Sequence, residues 1–162
     1  MNSYLKQYIN GAWVESEGGT VHHVVNPATE AACTEITLGS QADVDKAVAA
    51  ARNAFDSWSQ SSIADRAALL GRIIEEDNAR MLDLARAGRE EMGAPIGFAS
   101  AAQVPAGLGH FISTLKALNE FPFEERLGRA RVVHEPIGVV GMITPWNWPL
   151  NQFSVLVVSV IA

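Results

Sequence analysis

The stretch Glu135-Pro-Ile-Gly-Val-Val-Gly-Met-Ile-Thr-Pro-Trp-Asn-Trp-Pro-Leu150 constrains this chain more than any other. Residues 137–144 are an apolar, β-branched run, the pattern of a strand buried on both faces. The run closes on Thr144-Pro145, and a residue before proline is steered to extended geometry. Pro149 has the fixed φ that suits the first turn of a helix. The spacing therefore predicts a strand, a sharp loop over 145–148, then a helix. In an open α/β sheet that loop stands at the carboxyl end of a strand, where ligands bind. Asn147 is the one side chain in it able both to donate and to accept hydrogen bonds. Asn is a frequent helix cap. With Pro149 first in the helix, however, the cap falls on Trp148 and leaves the Asn147 amide free to face a ligand. Both readings stand on spacing alone.

The chain of 162 residues is long enough for one domain with a real core. Its net charge of −6, with no basic cluster, argues against a nucleic-acid partner. The one cysteine, Cys33, has no partner for an internal disulfide and fits a reducing compartment. The first residues lack the apolar core of a signal peptide, and the apolar run 153–162 is too short to span a bilayer. A cytoplasmic protein with no membrane partner is expected.

Along the chain, Asn10-Gly11 between two short β-forming runs predicts a hairpin. Residues 21–25 read as a strand closed by the Asn26-Pro27 turn, with 32–38 able to pair beside it. His22 and His23 would point to opposite faces of that strand as exposed residues. Ser40…Asp43 and Ser62…Asp65 have capping-box form and open two helices. Val44, Ala47, Val48, Ala51, Phe55 and Trp58 follow helical spacing on the first, and Ile63, Ala67, Leu70 and Ile74 on the second. A third amphipathic segment, 79–92, stops at Gly93-Ala94-Pro95. Residues 96–103 look helical, and Pro105 is expected to begin a new helix, since inside one it removes a hydrogen bond. His110, in that helix among apolar neighbours, reads as a satisfied core residue. Residues 129–134 alternate charged and apolar, as in an edge strand or an exposed arm that pairs with another subunit.

The chain contains no G-x-G-x-x-G, Walker loop, H-E-x-x-H, paired CxxC or G-x-S-x-G. No metal-ligand set is expected, and the carboxylate pairs Glu75-Glu76 and Glu90-Glu91 read as solvated helix faces. The fold class is α/β.

Five stretches in order carry a likeness that none carries alone: Tyr8-Ile-Asn-Gly-Ala-Trp13, Asn26-Pro-Ala-Thr-Glu30, the 43–58 helix, Glu91-Met-Gly-Ala-Pro95 and Glu135–Leu150. Together the chain, from Tyr8 to Gln152, closely resembles the N-terminal part of the NAD(P)-dependent aldehyde dehydrogenase family. The resemblance implies an incomplete Rossmann-like cofactor domain over 1–162, with a helical wrap and antiparallel edge strands. It also implies an oligomerisation-arm-like strand near 129–136 and no catalytic domain. The implied reaction is NAD- or NADP-dependent oxidation of an aldehyde to a carboxylic acid. By the same resemblance Asn147 is the catalytic oxyanion-hole amide. Ile143, Thr144, Pro145 and Trp146 line the nicotinamide–ribose side of the cofactor, and Trp148 forms part of the aldehyde tunnel. A homo-oligomer is implied as well.

The departures are equally specific. The family's nucleophilic cysteine, general-base glutamate and glycine-rich pyrophosphate segment would lie beyond residue 162, and Cys33 does not match the nucleophile. The isolated chain is therefore expected to be inactive, as a truncated or shifted reading frame would leave it. Residues 153–162 carry Val155, Val157, Val158, Val160 and Ile161, a composition that favours strand over the helix the family has there. The alternative to an enzyme segment is a non-catalytic remnant, either functionless or paired through 129–134 with a full-length relative.

Overall fold

The computed structural model describes residues 2–162. It is a mixed α/β structure in which small β elements flank a helical core. Strand β1 (Asn2–Tyr4) lies parallel to β5 (Ala31–Leu38), which pairs antiparallel with β4 (Thr20–Asn26). Strands β2 (Lys6–Ile9) and β3 (Ala12–Glu15) form the expected hairpin. Asn10 and Gly11 turn it with φ of 52° and 77°, the positive pair a tight two-residue turn requires. Across it Tyr8 faces Trp13 with ring centroids 5.1 Å apart. His22 and His23 are exposed on β4, as expected.

Helices α1 (Gln41–Trp58) and α2 (Ile63–Ala79) both begin with complete capping boxes, at Ser40/Asp43 and Ser62/Asp65. Asp43 does more than cap. Its carboxylate accepts from the Glu17 N–H at 3.0 Å, the Ser40 N–H at 2.9 Å and the Ser16 hydroxyl, tying α1 to the end of the β2–β3 hairpin. These hydrogen bonds, Ser16 foremost, lower its pKa from 3.8 to about 2. The apolar stripe expected to bury α1 instead faces solvent, with Val44 52% and Val48 47% exposed, because nothing among the described residues covers it.

Helix α3 (Met81–Met92) ends at Gly93, whose φ of 68° is the left-handed cap glycine adopts at least cost. A short helix α4 (Ile96–Phe98) then runs through a π turn (Ala99–Gln103) into α5 (Val104–Glu120) without a break. Pro105 stands in the first turn of α5, as expected of it, but no break in the helix precedes it. The wide turn absorbs the proline, widening the backbone where its ring would strike a carbonyl.

One core gathers Leu70, Phe111, Leu118 and Val158; a second gathers Ala85, Ala94, Ala99 and Val104. Helix α6 (Pro149–Ile161) spans both, with Leu150 against the second and Val158 and Ile161 against the first. This corrects the strand expected from the β-branched composition of 153–162. Leu150, Ser154, Val158 and Ile161 recur at helical spacing, and burial of that stripe on α5 overrides local preference.

Strands β6 (Glu124–Leu127) and β7 (Ala130–Val133) form an exposed hairpin, with Gly128 at φ 63° in its turn. The alternating segment is thus a strand, paired within its own hairpin. Residues 137–144 are a second correction: they form no strand. A strand needs a ladder partner, none lies beside this run among the described residues, and Ile137 and Ile143 are each 94% exposed. No helix among these residues is long and apolar enough to cross a membrane.

Candidate functional site

The loop over 145–148 leads directly into α6, and Pro149 is the first helical residue with Trp148 as the cap, as the spacing required. Trp148 sits in left-handed backbone, φ 50° and ψ 56°, and offers no side-chain cap. That geometry costs a non-glycine residue on the order of 1–2 kcal/mol and persists only where neighbours hold it. Its carbonyl accepts the Gln152 N–H at 3.0 Å, closing the first turn.

Three contacts from the neighbouring helix hold this turn. The Phe98 ring meets Trp148 edge to face, with centroids 5.4 Å apart and planes at 85°. Gly107 admits Leu150 so closely that a Cβ there would lie 2.6 Å from Leu150 Cγ. His110 Nε2 donates to Asn151 Oδ1 at 2.8 Å, so His110 is a satisfied, half-buried residue. Asn147 itself is exposed, as are Ile143, Thr144, Pro145 and Trp146. Trp146 is 85% exposed, whereas Trp148 is half-buried. The six residues singled out in the sequence are thus consecutive, with 143–147 exposed and Trp148 half-buried against Phe98.

Phe98, Gly107 and Asn151 escaped sequence reasoning as supports of this loop. A glycine at close approach between helices was the one signal available for them. Concavities of about 490 Å³ beside Tyr4 and Trp13, and about 390 Å³ between Asn26 and Arg89, lie away from the loop. Cys33 also lies elsewhere, its thiol directed at the carbonyls of Val24 at 3.3 Å and Glu90 at 3.5 Å. Among the described residues, no cluster of His, Cys, Asp or Glu could hold a metal.

The sequence profile of the aldehyde dehydrogenase family matches residues 13–162. The chain belongs to the aldehyde dehydrogenase family. It is 47% identical to a 3-succinoylsemialdehyde-pyridine dehydrogenase of a Pseudomonas species, over 100% of this chain and 34% of that protein. It superposes on an aldehyde dehydrogenase from Bartonella henselae with a TM-score of 0.96 and 40% identity, covering 99% of this chain and 35% of that one. An aldehyde dehydrogenase from Pseudomonas syringae, crystallised as a mutant with NAD+ and octanal, superposes with a TM-score of 0.92 and 42% identity, covering 96% and 33%. The chain therefore spans about a third of the length of the aldehyde dehydrogenases it matches. Its partial sheets and helical core are a piece of the aldehyde dehydrogenase fold.

Proposed function

We propose that this chain contributes the oxyanion donor and one wall of the cofactor site to the NAD(P)-dependent oxidation of an aldehyde to a carboxylic acid. The observation that carries the reading is Asn147: an exposed carboxamide on a loop whose next residues are pinned to the helical core. When a thiolate adds to an aldehyde, the carbonyl oxygen gains negative charge, and a neutral amide N–H aimed there stabilises it. Losing one such donor typically costs about 2.7–4 kcal/mol of barrier.

When bound, NAD or NADP supplies the hydride acceptor. The exposed run of Ile143, Thr144, Pro145 and Trp146 fits the flank of a nicotinamide–ribose, being apolar apart from the Thr144 hydroxyl, open and adjacent to Asn147. The NAD+ complex of the Pseudomonas syringae relative supports this choice of cofactor. Trp148, half-buried against Phe98, offers an aromatic face to an apolar aldehyde, and the octanal bound by the same relative supports that class of substrate. A nucleophilic cysteine and a general-base carboxylate complete the reaction, and neither matches a residue of this chain. Alone, the chain turns over no aldehyde.

The test is a chimera in which residues 1–162 replace the corresponding third of the Bartonella henselae enzyme. NAD(P)+ reduction is then followed with a panel of aldehydes. Turnover that falls about 10²–10³-fold in kcat on Asn147→Ala supports the reading; a chimera indifferent to that change defeats it, as does turnover by the isolated chain. A second reading rests on the β6–β7 hairpin, every residue of which is exposed. Such a hairpin suits strand addition to a second copy or to a full-length relative, in a role without catalysis. Co-purification with such a relative, lost when β7 is replaced by glycine and serine, supports it.

A further inference from the structure

The orientation of Asn147 has no visible support of its own, since its side chain stands in solvent. The backbone just after it is in left-handed geometry at Trp148, a conformation that needs holding. Among the described residues, one side-chain hydrogen bond reaches this region from the core. It joins His110 on α5 to Asn151, which lies four residues after Asn147 in the first turn of α6. Both partners are half-buried, so water competes poorly for the bond. One turn before His110, Gly107 lets α6 approach closely enough for the bond to form.

We propose that His110 is a positioning residue: through Nε2–H···Oδ1 to Asn151 it fixes the first turn of α6, and with it the direction in which Asn147 points. This deepens the oxyanion reading above and rests on it for its catalytic meaning. A hydrogen bond is the suitable device here because it is directional. The apolar contacts at Leu150 and Trp148 resist separation of the helices but tolerate small rotations of α6. Among the described residues, the His110–Asn151 pair is the side-chain hydrogen bond that joins the first turn of α6 to α5, and it constrains rotation about the helix axis there. With Asn151 Oδ1 facing the ring, the proton belongs on Nε2, whether the imidazole is neutral or charged.

The test uses the full 162-residue chain, ¹⁵N-labelled. In the unmodified protein, long-range ¹H–¹⁵N correlations of the His110 ring should show the Nε2–H form; the Nδ1–H form overturns the proposal. Backbone order parameters at Asn147 and Trp148 should lie near the rigid value of about 0.85 and fall below about 0.6 in both His110→Ala and Asn151→Ala. His110→Gln, which keeps a donor within reach, should restore them. Leu115→Ala, on the same helix, should lower the melting temperature at least as much yet leave order at Asn147 unchanged. Unchanged order in both alanine variants overturns the proposal, as does an equal loss in Leu115→Ala. Should His110→Ala not fold, Asn151→Ala and the tautomer measurement decide alone. None of these readouts needs aldehyde or cofactor. A chimera indifferent to Asn147→Ala would therefore remove the oxyanion reading while leaving the positioning bond standing.

Discussion

Gly107 on α5 and Leu150 on α6 are in such close contact that any side chain on the glycine would occupy the space of the leucine: a Cβ would lie 2.6 Å from Leu150 Cγ and 3.1 Å from Leu150 C. The second distance matters more, because backbone does not move aside as a side chain end can. Two residues on, Gly109 has nothing within 4 Å of the same position.

Gly107→Ala should therefore destabilise the chain by about 1–3 kcal/mol through overpacking. Gly109→Ala should stabilise it by about 0.5–1 kcal/mol, the ordinary gain of alanine over glycine within a helix. Urea unfolding of both variants checks the pair, and the opposite signs on one helix separate packing from propensity.

The edge-to-face pair of Phe98 and Trp148 should show in a double-mutant cycle. Phe98→Ala, Trp148→Ala and the double variant should give a coupling of about 0.5–1.5 kcal/mol. A coupling near zero would mean that the rings touch without steadying the loop.

Asp43 makes stability depend on acid. Its folded-state pKa of about 2 lies below its ordinary 3.8. Its contribution is therefore complete above the ordinary value and disappears as pH falls through about 2. Urea midpoints taken from pH 6 down to pH 2 should show wild type losing ground to Asp43→Asn, the gap being widest at the upper end.

Asp77 runs the other way. Burial raises its pKa, and its Oδ2 has no hydrogen-bond partner among the described residues. With the folded pKa raised, its cost is absent below the unfolded value and grows as pH rises through the folded one. Asp77→Asn should be more stable than wild type at pH 7, with the difference closing towards pH 3.

The parts of this fold legible in the sequence are those fixed by local chemistry. The Asn10-Gly11 turn, both capping boxes, the Gly93 stop and Pro149 opening α6 behave as their residues dictate. The misreadings concern segments whose state depends on what lies beside them. Val155, Val157 and Val160 favour strand by themselves, but Leu150, Ser154 and Val158 find a helical surface to pack on, and the segment becomes helix. Residues 137–144 have the composition of a central strand and, among the described residues, no neighbour to complete it. The stripe of Val44 and Val48 likewise meets nothing among the described residues and stays exposed. At the site, the sequence marks Asn147 and its prolines. It does not mark the left-handed backbone of Trp148 or the three anchors, which arise only when two distant helices meet.

The wide turn at Ala99–Gln103 has a consequence for those anchors. In an unbroken α-helix, at about 100° per residue, Phe98 would stand roughly 180° around the axis from Gly107 and roughly 120° from His110. One inserted residue takes about 100° from each angle, leaving roughly 80° and roughly 20°. The turn thus acts as a phase shifter, bringing an aromatic ring, a gap and an imidazole from two out-of-step halves of a helix onto a single side. Excising one residue from it would leave every contacting side chain in the chain, yet swing Phe98 away from Trp148.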